Sequence, residues 1–182
     1  MFVLQIDEDL YLQIVDQLHQ EELFMLVDRN RVYLRQWLPW VDGITSVKDY
    51  DSIMIEWMNQ LSSQLGFQTG IRYKNELVGM IGFHPIDWSN RKAAIGYWLA
   101  QGFQGRGIMT RACQAMVHYA FQTYHLNRVE IQASIQNVKS RAIPERLGFV
   151  FEGYTRDGEF LYDRYVDLVN YGLLKREWER HG

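Results

Sequence analysis

The sequence carries a single cysteine, Cys113, among its 182 residues. An internal disulfide is therefore excluded, and a reducing, cytoplasmic setting is expected. No run of about 18 apolar residues occurs, so no membrane-spanning helix is expected. The start, Met1-Phe2-Val3-Leu4-Gln5-Ile6-Asp7, lacks the basic opening and small-residue cleavage site of a signal peptide. Positive charge is also in short supply: 19 Lys and Arg stand against 22 Asp and Glu, for a formal net charge of −3 and a pI near 5.9. A nucleic-acid binder would carry a basic excess, so direct binding of nucleic acid is not expected, whereas a mildly acidic surface tolerates a basic partner. With three prolines and no Gly/Ser tract, nothing reads as a linker. One domain over residues 1–182 is expected, because this length suits a single core.

Aromatic and β-branched residues are plentiful, and their spacing organises the chain. Residues 2–6 and 11–15 read as a strand pair turning at Asp7-Glu8-Asp9. Helical patterns follow at 21–37, broken near Asn30, and at 47–65, where Ile53, Trp57 and Leu61 mark one face. From Phe67 the period changes. Residues 67–73, 77–84 and 93–99 read as an antiparallel meander with turns at Lys74-Asn75-Glu76 and Asp87-Trp88-Ser89-Asn90. The clearest amphipathic helix places Ile108, Ala112, Ala115, Met116 and Tyr119 opposite Arg111, Gln114, His118 and Gln122. A buried strand (128–135), a short helix ended by Gly148 (138–147), strands at 149–154 and 166–174, and a charged tail (175–182) complete the order. The expectation is a mixed α/β (α+β) domain with one central sheet.

The most informative segment is Gln104-Gly105-Arg106-Gly107-Ile108-Met109-Thr110. A Gly-x-Gly turn between a strand and a helix directs backbone N–H groups at one point, at the positive end of a helix dipole, and so makes an anion or phosphate site. A P-loop would close with Lys-Ser/Thr, but Ile108 follows Gly107. A dinucleotide fold would place its glycines after the first strand. A plain strand-to-helix turn is the bland alternative.

Together with a second block, Asn137-Val138-Lys139-Ser140 followed by Leu147-Gly148-Phe149, this segment resembles the GNAT superfamily of acetyl-CoA-dependent N-acetyltransferases. Within it, the RimJ/RimL-like ribosomal-protein N-terminal acetyltransferases are the nearest likeness. The pyrophosphate signature Gln/Arg-x-x-Gly-x-Gly/Ala is matched by Gln104 and Gly107, with Met109 departing from the small third residue. The resemblance implies a mostly antiparallel, mixed central sheet with a splayed pair of strands, flanked by helices. It divides the chain into an N-terminal strand and acceptor-side helices (1–66), the meander with the coenzyme A loop and helix (67–135), and the Asn/Ser helix with a closing hairpin (136–182). It also implies acetyl-CoA as co-substrate and no metal. On this likeness Gln104, Gly105, Arg106, Gly107, Ile108, Met109 and Thr110 hold the pyrophosphate. Tyr97, Trp98 and Leu99 offer a free strand edge to the pantetheine arm, and Asn137 meets it from the other side. A helix N-cap role for Asn137, a capping role for Thr110 and a solvated loop position for Arg106 remain the structural alternatives.

Acetyl transfer from a thioester needs a neutral amine, a polarised carbonyl and a proton for the departing thiolate. Many members use as acid a tyrosine four residues beyond a small residue that follows the Asn of the second block, here Ser140, but that position holds Pro144. The RimL-like resemblance assigns that task to Ser140 and the base to Glu159, in the segment Asp157-Gly158-Glu159-Phe160-Leu161-Tyr162-Asp163. Asp163 and Asp167 are competing bases, His84 at a strand end is set aside as a structural hydrogen-bonder, and Glu159 as a solvated turn residue is the bland alternative. Pro144 is expected to make its helix start late or kink. Cys113 lines up with Met109, Met116 and Ala120 and reads as a buried helix-face residue, not a nucleophile. An α-amine, with a pKa of about 7.7–8.0, is easier to deprotonate than a lysine at about 10.4, a gap of roughly 3.5 kcal/mol near neutral pH. An N-terminal α-amine is thus favoured over a lysine, and the RimJ/RimL-like resemblance implies that it belongs to a protein such as a basic ribosomal protein. A small amine (polyamine, amino acid, aminoglycoside) and a non-catalytic coenzyme A-binding domain are the alternatives. A homodimer is compatible with the sequence.

Overall fold

The computed structural model describes residues 3–181. Phe2 and Gly182, which fall in two of the elements expected above, lie outside this range. The opening hairpin pairs β1 (Val3–Gln5) with β2 (Leu10–Ile14). Its turn is fixed by the Asp7 carboxylate, which accepts the amides of Asp9 and Leu10 at 3.0 Å each. Alternation then decides orientation: Leu10, Leu12 and Ile14 are buried, while Tyr11 and Gln13 between them are not.

The meander forms as expected from β3 (Gln68–Tyr73), β4 (Glu76–Phe83) and β5 (Lys92–Leu99). Lys74 and Asn75 adopt φ of +52° and +67°, the two left-handed residues a tight hairpin requires. After β5 the chain crosses through α4 (Ile108–Gln122) to β6 (Arg128–Ser134), which lies parallel to β5. A short helix, α5 (Val138–Arg146), leads to the long antiparallel pair β7 (Val150–Leu161) and β8 (Arg164–Leu174). Among the described residues the strands form one eight-stranded sheet in the order β1-β2-β3-β4-β5-β6-β8-β7.

The β5–β6 pairing decides the site. These strands are hydrogen-bonded only over Lys92–Ala94 against Arg128–Glu130, yet β5 stays paired to β4 through Leu99. The remainder of β5, residues 95–99, therefore diverges from β6, giving the splayed pair.

Neighbouring residues of one strand face opposite sides of a sheet, and the core divides accordingly. Ile81 joins the cluster under α4, with Ile95, Ile108, Ala112, Met116 and Ile131. Met80 joins the cluster under α1 (Gln20–Arg29), α2 (Arg31–Leu34) and α3 (Tyr50–Ser62), with Leu23, Val27, Leu34 and Met54. Each buried Leu, Ile, Val or Met among them contributes about 1.5–3 kcal/mol by leaving water. Arg72, only 8% exposed, anchors the second layer to the sheet by pairing with both Glu22 carboxylate oxygens, at 2.5 and 2.7 Å.

Four local differences from the sequence expectation have physical reasons. The third helix begins at Tyr50, after a single 3-10 turn at Val47–Asp49 capped by Ser46 and Asp49. The charged tail is a helix, α6 (Lys175–His181), because Glu177 accepts the Leu174 amide at 2.9 Å and Trp178 packs on Phe121. β7 runs on to Leu161, so the segment read as a hairpin loop is mostly strand, interrupted by a bulge between Thr155 and Glu159. The Asp167 carboxylate holds that bulge by accepting the Asp157 amide at 2.8 Å. Finally, α5 starts directly after Asn137 and carries Pro144 inside it, so it does not start late. No helix among the described residues is long and apolar enough to cross a membrane.

Candidate active site

The splay between β5 and β6 opens a cavity of about 860 Å³. One wall is the diverging half of β5, with Tyr97, Trp98 and Leu99; the facing wall is α5, with Asn137, Lys139, Ser140, Ile143 and Arg146. The loop before α4 closes one end, where Gln104, Gly105, Gly107, Ile108, Met109 and Thr110 reach the cavity. Tyr33, Leu34, Trp37 and Leu38, from α2 and the turn after it, form an apolar side. Of the cofactor-side residues expected from sequence, all but Arg106 line this one space. Its guanidinium turns back to the Gly102 carbonyl at 3.2 Å and stacks on Phe103.

The loop owes its shape to glycine. Gly105 and Gly107 sit at φ +75° and +69°, and a Cβ at either would meet open space, so the requirement is conformational. Gly107 caps α4 with no side chain covering the first-turn amides, which leaves them available to an anion. Met109, the departure from the small signature residue, is only 5% exposed. Its side chain enters the core under α4, so the long side chain does not crowd the loop. Thr110 does not cap the helix; its hydroxyl accepts from Arg146 at 3.1 Å.

Lys139 donates to the Gln104 carboxamide at 2.8 Å, tying the loop to α5, and Gln104 in turn donates to the Tyr33 hydroxyl. Lys139 and Arg146, seven residues apart on one face of α5, and Arg111 on α4 give the cavity its charge. No carboxylate is among its lining residues. Sequence reading missed Lys139 and Arg146; their two-turn spacing beside Asn137 was the available signal.

Asn137 is both a wall residue and the N-cap of α5, accepting the Ser140 amide at 3.2 Å. Ser140 receives the Tyr97 hydroxyl on its carbonyl at 2.9 Å, across the cavity between β5 and α5. Burial pushes the Tyr97 phenol well above the ordinary tyrosine range, so it stays a neutral donor. Trp98 packs against Trp40, with ring centroids 6.1 Å apart.

Glu159 is not among the residues lining the cavity. Its position follows from the ladder: it pairs with buried Val166 and shares a strand face with buried Leu161. Phe160 and Tyr165, one step on, point outward and are 53% and 62% exposed. Glu159 is half-buried, and burial raises its carboxyl pKa above the usual value. The competing bases are placed differently. Asp163 is exposed in the hairpin turn, Asp167 is occupied by the bulge amide, and His84 stacks over Gly96 at the far end of β4. Cys113 is fully buried and its thiol is pushed up to about 12, which removes it as a nucleophile.

Comparison with known proteins gives a consistent picture. The profile of the acetyltransferase (GNAT) domain matches residues 9–150. YdaF of Bacillus subtilis (strain 168), a provisionally named ribosomal N-acetyltransferase, is 42% identical over 180 residues, which is 98% of each chain. The ribosomal-protein-serine acetyltransferase of Escherichia coli (strain K12) is 34% identical over 173 residues, 94% of this chain and 96% of that one. Among solved structures, RimL, a ribosomal L7/L12 alpha-N-protein acetyltransferase in complex with coenzyme A, superimposes with a TM-score of 0.91 at 28% identity. That superposition covers 95% of this chain and 98% of RimL.

Proposed function

Because the chain belongs to the GNAT acetyltransferase family, and is by that membership an N-acetyltransferase, we propose that it takes acetyl groups from acetyl-CoA to the N-terminal α-amine of a protein. A basic ribosomal protein is the favoured acceptor, and a single cytoplasmic domain over residues 1–182 is the unit that does it. The observation that carries this reading is the half of β5 whose edge toward β6 is unpaired, which faces α5 across a cavity closed by the Gly105–Gly107 loop.

The residues present fit an extended thioester ligand with an anionic end. First-turn amides of α4, with Lys139 and Arg146, suit a diphosphate, and the free backbone edge at Tyr97–Leu99 suits an amide-bearing arm. Bound there, acetyl-CoA would supply the activated acetyl group. Glu159, raised in pKa and on the inward face of β7, would take the proton that the amine loses. The Ser140 hydroxyl would hydrogen-bond the departing sulfur. The cavity lining carries Lys139, Arg146 and Arg111 and no carboxylate, which suits the anionic coenzyme within it.

The test is thiol release from acetyl-CoA with a panel of acceptors: peptides with N-terminal serine or alanine, N-terminally blocked lysine peptides, and polyamines. Turnover of the free N-terminal peptides is expected. Turnover confined to small amines would replace the acceptor, and coenzyme A binding without any turnover would replace the enzymatic reading.

A further inference from the structure

The hairpin joining β7 to β8 is fastened to the helical layer at its tip. Tyr162, at φ +60° in the turn, donates its hydroxyl to the Leu38 carbonyl at 2.5 Å. The Arg35 guanidinium lies over the Tyr162 ring, 3.9 Å from its centroid. Arg35 is itself held by the Asp42 carboxylate, at 2.8 and 2.9 Å. The segment after α2 is therefore gripped from both sides. Behind it, Arg31 donates to the carbonyls of Val41 and Ile44 at 2.7 and 2.6 Å; in front of it stands Tyr162.

This clasp joins two parts of the site that lie more than a hundred residues apart in sequence. Trp37 and Leu38 on the gripped segment line the cavity, whereas Glu159 sits on the hairpin that Tyr162 terminates. The segment's own backbone bonds only close single turns, from Gln36, Trp37 and Leu38 to Tyr33 and Leu34 and from Gly43 and Ile44 to Trp40 and Val41, so without the clasp its placement would have to be fixed when the acceptor binds, and that ordering weakens binding.

We propose that Tyr162 is a positioning residue for the acceptor: by clasping Leu38 and Arg35 it presets the gap between the apolar cavity wall and the Glu159 hairpin. The proposal rests on the acetyl-transfer reading of the cavity. It assigns Tyr162 a larger effect on the acceptor than on the coenzyme, because the Gly105–Gly107 loop lies outside the clasp and the clasped segment meets β5 through the Trp40–Trp98 contact.

The experiment compares wild type, Tyr162→Phe and Arg35→Gln, with an N-terminal serine peptide as acceptor and backbone hydrogen exchange over residues 36–44. Tyr162→Phe keeps the ring under Arg35 and removes the hydroxyl, with its bond to the Leu38 carbonyl and its contacts with the Val41 and Asp42 amides. It should raise the acceptor KM roughly five- to tenfold, the net value of about one hydrogen bond. The KM for acetyl-CoA should stay within about twofold, and exchange over 36–44 should accelerate. Arg35→Gln should move the same quantities in the same direction. Unchanged exchange, or a parallel rise in both KM values, overturns the clasp. If wild type turns over no peptide, the acceptor reading falls while the exchange comparison still decides the clasp.

Discussion

The Tyr97 hydroxyl donates to the Ser140 carbonyl at 2.9 Å, the acceptor that Pro144 leaves unpaired in α5. In a regular helix the residue at position 144 would supply an amide to that carbonyl, and proline has none. A side chain from β5 thus completes the helix and spans the mouth of the splay. Tyr97→Phe should cost about 1–3 kcal/mol of stability by stranding a part-buried carbonyl. Pro144→Ala restores the helical amide, so the double variant should recover part of that loss. Denaturant unfolding of the four proteins checks this; additive effects with no recovery would show that the two donors do not share an acceptor.

Gly107 has room for a side chain but not the backbone freedom, since its φ is +69° and a Cβ would touch nothing. Gly107→Val should therefore weaken coenzyme A by roughly 5- to 30-fold or more, from about 1–2 kcal/mol of left-handed strain. Gly107→Asn, which tolerates that conformation, should lose less. Calorimetric titration distinguishes them; equal losses would indicate a steric cause.

Glu159 must be ionised to accept a proton, and burial has moved its pKa upward. The wild-type rate should fall as pH drops through this raised value. Glu159→Gln should lower kcat by about 10²–10⁴ and abolish that limb, with coenzyme A affinity unchanged. An unaltered pH–rate profile would remove Glu159 as base.

The same shift carries a stability prediction. A carboxyl whose folded pKa is raised contributes stability that is present below its unfolded pKa and lost as pH rises through the folded one. Near neutral pH the native state bears the cost of a half-buried charge. Glu159→Gln should therefore unfold at a higher temperature than wild type at about pH 8, with the difference vanishing near about pH 4. A less stable variant at both pH values would mean that Glu159 makes a favourable ionic contact.

Much of this was legible in the residues. Short runs of β-branched and aromatic residues between turn formers gave the meander, and the period of 3.6 gave α4, because both signals are local in the chain. Glycines at 105 and 107 announced a left-handed loop before α4. The end of β7 was not legible: Gly158 reads as a turn, yet it lies in a bulge held by Asp167, a residue ten positions from the Asp157 amide it accepts. The clasp at Tyr162 was equally hidden, since its partner Leu38 lies 124 residues away.

By itself, then, the sequence determined most of the order of elements, the Gly105–Gly107 turn before α4 and the block from Asn137 to Phe149, all of which are written in spacing along the chain. Only the tertiary structure decided where β5 parts from β6, which partner takes the carbonyl that Pro144 strands, and how far Glu159 is withdrawn from water. Each of these depends on pairing register or on burial among distant residues. Neither quantity exists until strands far apart in the chain lie side by side.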